Sequence, residues 1–223
     1  MIRSLRETAH LFSTDVVLVV DHDDPCLHEY LALPRQFTEA SGGFPLRPPD
    51  RPLVMVLGPD ETGDLTRATN SAARRVWDDD VIIGHVGDDH RFRTPGWDKA
   101  ITAALAQPGF AYGNDLHQGP SLPTAVFVSA VIPRTLGWFA LPVCAHMRID
   151  RAWKRMGEEL GRITYLPDVV IEHLHPDAGK APDDPGYERA RAGWRADKRA
   201  YRAWIEDGFA SDVSRVREAI WTS

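Results

Sequence analysis

The chain has 223 residues, 43% of them hydrophobic and 26% charged, which is enough apolar material for a full core and excludes a disordered or fibrous class. Its formal net charge of -6 excludes a broadly basic surface, so a polyanionic partner would need a local patch. The longest aliphatic run, Val16 to Val20, is too short for a membrane span, and the charged N-terminal segment lacks the apolar block of a signal peptide; a cytoplasmic protein with no membrane partner is expected.

In chain order, Asp15 to Val20 is a continuous β-branched run of the kind buried on both faces, and it ends in the polar burst Asp21, His22, Asp23, Asp24. A short helix is predicted over 27–33, then a Gly/Pro-rich loop over 41–52 and a second buried run, Leu53 to Leu57. Leu65, Ala68, Ala72 and Val76 recur at helical spacing, which sets Asn70 and Arg74 together on another face. A third run, Val81 to Val86, closes in Gly87-Asp88-Asp89-His90. Strand, helix, strand, helix, strand in this order predicts an α/β domain: a mixed, mostly parallel central sheet flanked by helices, with both acidic bursts on one edge.

The second half is less regular. A helix carrying Trp97, Ile101 and Leu105 is predicted, then strands over Phe110 to Tyr112 and Ala125 to Ile132. Met147 to Leu160 repeats Ile149, Trp153, Met156 and Leu160 at helical spacing, and two short strands follow, Ile163 to Leu166 and Val169 to Glu172, with His173 directly after. Residues 115–124 and 177–186 read as flexible loops that cover a site, and a helical tail begins at Tyr187 with Trp194, Tyr201 and Trp204 as docking points. Residues 1–175 are thus the expected main domain and 176–223 a loop plus C-terminal helical extension packed on it. Cys26 and Cys144 belong to no CxxC or Cys/His cluster and are expected to be reduced and packed.

Two adjacent carboxylates after a buried strand, with a glycine before them, can hold a divalent cation and a ribose side by side; an isolated Asp-Asp pair is equally a solvated turn. The segment Asp80 to Ile101, with its core GDDH-x-FRTPGWD, together with HMRIDRAW (His146 to Trp153) and YLPDVVIEHLHP (Tyr165 to Pro176), resembles the metal-binding and catalytic segments of GT-A fold, family 2-like glycosyltransferases, of the compact type often carried by actinobacterial bacteriophages. Gly87-Asp88-Asp89 stands where that fold has its DxD motif, with Gly in the first place.

The resemblance implies a metal-dependent transfer of sugar from a nucleotide-sugar donor, a UDP-sugar in expectation, to an acceptor hydroxyl. Asp89 and His173 would ligate the metal, Asp88 would share it or contact the donor's ribose, and Asp21, Asp23 and Asn70 would read the nucleotide. An imidazole beside a carboxylate suits Mn²⁺ better than Mg²⁺. Asp150 would be the base of an inverting reaction, with His146 at i-4 orienting it; from spacing alone it is equally an exposed Asp beside Arg151 and Lys154. Trp97 and Trp138 read as core residues before sugar platforms. Acceptors in view are DNA with hydroxymethylated bases, for which Arg148, Arg151, Lys154 and Arg155 with the tail arginines would supply a basic face, and a phage or host protein. The alternatives are a nucleotidyltransferase that makes the nucleotide sugar, and a non-catalytic nucleotide-sugar or glycan-binding protein.

Overall fold

A computed structural model gives the structure of the protein and describes residues 1–10, 14, 16–32, 54–58, 64–77, 81–183 and 185–221. It is α/β, with eight helices among the described residues: α1 (Ile2–Thr8), α2 (27–32), α3 (Leu65–Val76), α4 (Trp97–Ala104), α5 (Val131–Leu136), α6 (Ile149–Leu160), α7 (Pro185–Asp207) and α8 (Phe209–Trp221).

Strands β1 (Leu18–Asp21) and β2 (Val54–Leu57) pair in parallel, Leu18 opposite Val54 and Asp21 opposite Leu57. Leu18 and Val20 are buried while Val19 and Asp21 are half-buried, so the aliphatic run covers one face only and is not, as its composition predicts, buried on both.

The other strands form a mixed sheet in the order β3 (Ile82–His85), β6 (Val126–Ser129), β5 (Phe110–Asn114), β7 (Ile163–His173), β4 (His90–Phe92). Only β5 and β7 run in parallel; the other three pairings are antiparallel. The expected mostly parallel sheet is therefore corrected twice. Among the described residues β3 pairs with β6 rather than with β1 or β2, and α3, packed on both β1 and β3, joins the two sheets. Beyond β3 the chain reverses through the Asp88-Asp89 turn and returns as β4, too short to stand out in the sequence.

The two strands expected on either side of Pro167 are one eleven-residue strand, β7, and His173 is its last residue rather than the one after it. A register shift opposite Gly113 and Asn114 absorbs Pro167, which has no N–H to give to a ladder. Gly113 is required there, since a Cβ would lie 2.3 Å from the Val169 carbonyl oxygen. The strand expected over 125–132 stops at Ser129, and α5 takes the rest, its Pro133 lying in the first helical turn where a missing N–H costs nothing.

On α6, Ile149, Trp153, Met156 and Leu160 are all buried, as their spacing predicts, each burial worth about 1.5–3 kcal/mol. They share a core with Trp204 of α7 and with Phe209, Val213, Val216 and Ile220 of α8, so the C-terminal helices pack on the same core as the sheet. Trp97 is 3% exposed in the second core and Trp138 packs edge-on against Trp204. At the far edge of the sheet, α1 lies along β4: the Ser4 hydroxyl accepts from the Phe92 N–H at 3.1 Å. No described helix is long and apolar enough to cross a membrane.

Candidate metal centre

The antiparallel register of β4 on β7 sets His90 opposite His173. Directly opposed side chains on one sheet face come into contact, and the two imidazoles stack with centroids 4.2 Å apart and planes inclined by 14°. Asp89, in the turn just before β4, reaches both rings. Its Oδ1 lies 3.0 Å from His90 Nδ1 and its Oδ2 2.9 Å from His173 Nε2. Its main chain is fixed as well, since Asp89 O accepts from Leu174 N at 3.0 Å.

The turn explains the glycine at the first place of the triplet. A Cβ on residue 87 would lie 2.6 Å from Asp89 Oδ1 and 3.1 Å from His90 Nδ1. Any side chain at 87 would therefore fill the space into which the carboxylate leans.

A third donor comes from the tail, where the Tyr187 hydroxyl, in the first turn of α7, donates to Asp89 Oδ2 at 2.5 Å. Burial pushes the Asp89 carboxyl up, but the hydrogen bonds from His173, His90 and Tyr187 together outweigh it and hold the group far below the usual carboxylate range. His175 stands edge-on to both His173 and Tyr187 at 4.9 Å and stacks on His117 at 5.5 Å. On the strand before the turn, His85 packs tilted against Trp153, and burial lowers its pKa to about 4.

A carboxylate oxygen of Asp89 and one nitrogen each of His90 and His173 lie within 4.8 Å of one another, close enough to share one ion. One hard oxygen and two imidazole nitrogens fit Mn²⁺ or Zn²⁺ better than Mg²⁺, which prefers oxygen and water. His173 Nδ1 is buried without a hydrogen-bond partner among the described residues; in the ion-free site the ionised Asp89 carboxylate keeps the proton on Nε2, and Nε2 would present a lone pair to an ion only with the proton moved to Nδ1.

The structure thus brings together the two expected metal ligands, Asp89 and His173, which are 84 residues apart in the chain. The expected third, Asp88, is exposed, its carbonyl accepting from Arg91 at 2.9 Å, and His90 takes the place beside the other two. The Tyr30 phenol on α2 is pushed up by burial, then by the charges of Asp24 and Asp88.

Asp21 closes β1 and Asp23 is exposed, 3.9 Å from His22. The acid that fixes the turn into α2 is Asp24, whose Oδ1 accepts from Cys26 N at 2.7 Å. Cys26 itself is exposed, contrary to expectation, while Cys144 is buried with its thiol pushed up to about 12 by burial.

Three other expectations are corrected. Asn70 is 4% exposed; its Oδ1 accepts from Phe139 N and Ala140 N and its Nδ2 donates to Ala140 O. It joins α3 to the 139–140 loop and is not open to a nucleotide. His146 does not sit one helical turn before Asp150, because α6 begins only at Ile149, after Arg148 at φ 77°. Among the described residues no hydrogen bond links the two; Asp150 Oδ1 instead accepts from Arg151 N at 2.6 Å, and burial pushes its carboxyl up. The 115–124 segment, finally, is clamped from within rather than built as a loose cover.

That clamp is Asp115, 3% exposed, whose Oδ1 accepts from the N–H groups of His117, Gln118 and Gly119 and whose Oδ2 accepts from Thr124 Oγ1. Burial raises the pKa of this carboxyl, and the four hydrogen bonds outweigh it, so the folded protein holds the group below its ordinary value. A depressed carboxyl stabilises the fold above its unfolded pKa and ceases to do so as pH falls through the folded one. Asp115→Asn is expected to be the less stable protein at neutral pH, with the gap in chemical denaturation narrowing below about pH 4. A gap of constant size across that range would contradict the assignment.

Of the residues that sequence reasoning gave no role, His90 stood in the GDDH motif, where its strand was too short to read; Tyr187, Asp115 and Asp197 act through contacts far apart in the chain and left no local pattern. Compared with family models, with curated proteins and with solved structures, the chain finds no significant match.

Proposed function

We propose that the chain is a metal-dependent glycosyltransferase of the GT-A type, moving sugar from a nucleotide-sugar donor, a UDP-sugar in expectation, to an acceptor hydroxyl. The observation that carries this reading is the contact of Asp89 with His173 at 2.9 Å, beside His90, at a strand-end turn whose glycine leaves room for them. Asp89, His90 and His173 would hold the ion, Mn²⁺ in preference to Mg²⁺. When bound, it supplies positive charge to the diphosphate as the glycosidic bond breaks.

Asp88, exposed at the same turn, is the carboxylate open to a ribose, and Asp21 and Asp23 lie at the end of β1. Asp150 is the base of this reading: burial pushes its carboxyl up, and the Arg151 N–H rather than His146 orients it. A competing reading has one observation in its favour, namely that Asp89 already accepts from three side chains. On it, the cluster is a structural hydrogen-bond network.

The test is thermal denaturation and slow donor hydrolysis across a panel of nucleotide sugars, with and without Mn²⁺. A true donor at a hundredfold excess over its Kd stabilises by about 2.7 kcal/mol, which is a Tm rise of roughly 5 to 10 °C for a chain of this size. If no donor shifts the Tm or is hydrolysed under either condition, the glycosyltransferase reading fails.

A further inference from the structure

Between α6 and α7 lies a groove of about 370 Å³ into which Arg148, Arg151, Lys154, Arg155, Lys198 and Arg202 all project. Glu158 is the one acid among the described residues of its lining, and the whole chain is net negative, so the six cations are a local concentration of charge. Two of them are engaged: Lys154 donates to the carbonyls of Pro120 and Ser121 at 2.7 and 2.9 Å, and Arg155 pairs with Glu159 at 3.0 Å. Arg148, Arg151, Lys198 and Arg202 form no ion pair with a described carboxylate.

Arg148 carries the clearest sign of a missing partner. Its backbone takes the left-handed conformation, φ 77°, which is uncommon for a residue with a side chain. Its guanidinium lies over the Trp194 ring at 5.1 Å, with Lys198 Nζ over the same ring at 4.7 Å. Its Nε is buried without a hydrogen-bond partner among the described residues. One indole thus gathers two like charges, one of them bearing an unsatisfied donor, an arrangement that costs free energy until an anion enters.

We propose that this groove binds the phosphate backbone of a single-stranded nucleic acid. Guanidinium forks match the paired oxygens of a phosphodiester. The cations are spread rather than convergent: Arg148 precedes α6, Arg151 and Arg155 are about 6 Å apart along it at 1.5 Å per residue, and Lys198 and Arg202 are one turn apart on α7. That spread suits successive phosphates better than one diphosphate. Tyr201 lines the groove between the latter two cations and offers a ring on which a base can stack, the usual companion of a basic channel for single strands.

The proposal does not depend on the glycosyltransferase reading, and its test leaves metal and donor out. Fluorescence anisotropy of a labelled oligothymidylate with the full chain in EDTA is expected to give saturable binding. The affinity should fall between about 50 and about 200 mM salt with a log-log slope near −0.7 for each phosphate contacted. The double variant Arg151→Glu, Arg202→Glu changes two exposed side chains, so it should keep the wild-type Tm while losing at least about tenfold in affinity. No binding at the lower salt overturns the proposal, as does wild-type affinity in the folded variant. Competition by inorganic pyrophosphate, by heparin or by a duplex as effective, per charge, as that by unlabelled strand would also overturn it.

Discussion

Asp89→Ala protein is expected to bind Mn²⁺ at least about 100-fold more weakly than wild type and to lose donor-dependent turnover with it. The size follows from position. Residues that merely orient a metal ligand cost 10–100-fold when removed, and Asp89 is the carboxylate on which both imidazoles converge. His173→Ala should follow the same direction. Tyr187→Phe removes one hydrogen bond to Oδ2 and leaves all three candidate ligand atoms in place, so its effect should be far smaller. Calorimetric titration of the three variants with Mn²⁺ reads the order directly. A wild-type isotherm for Asp89→Ala, or a wild-type protein that takes up no ion, removes the metal centre and leaves a structural cluster.

The second large effect lies at the joint between the tail and α6. Asp197, on α7 and 4% exposed, accepts from three successive N–H groups: Ala145 at 2.9 Å, His146 at 3.0 Å and Met147 at 2.7 Å. The chain leading into α6 thus has its main-chain donors met by a residue some fifty positions later. Hydrogen bonds to a charged acceptor contribute about 1.5–3 kcal/mol each, though not additively, and unmet buried donors are costly. Asp197→Ala should therefore cost about 4 kcal/mol, or roughly 8 to 16 °C in Tm. Asp197→Asn keeps one acceptor oxygen and should fall between. If the alanine variant melts within about 2 °C of wild type, water meets those three donors and the joint is not what holds the segment.

These two sites also mark what the sequence could and could not convey. Periodicity located α3 and α6 and named the buried face of α6 residue by residue, because a helix against a core must repeat its apolar positions at 3.6. The aliphatic runs located β1, β2 and β3. Pairing was another matter. Whether β3 lies beside β1 or β6 depends on which edges meet in space, and neither His90 to Phe92 nor the Pro167 bulge has the length or alternation to declare its place in a sheet.

The candidate site divides the same way. Asp89 and His173 were legible through motifs, each at the end of an apolar run. Asn70, to which the resemblance gave a place at the nucleotide and which lies off the apolar stripe of its helix, has instead its polar atoms bonded to the 139–140 main chain; a buried amide with satisfied bonds looks, in sequence, like an exposed one. Tyr187 and Asp197 are on the tail, far in sequence from the groups they bind, and only the packing of α7 brings them there.

Helix α1 has a bearing on solubility. β4 is the outermost strand of its sheet, and an outermost strand with free amides is a template for another chain. The Ser4 hydroxyl occupies the Phe92 amide and α1 lies along the strand. A chain shortened past Thr8 would leave that border open two residues from His90, and the self-association that followed would begin at the very strand that carries the imidazole.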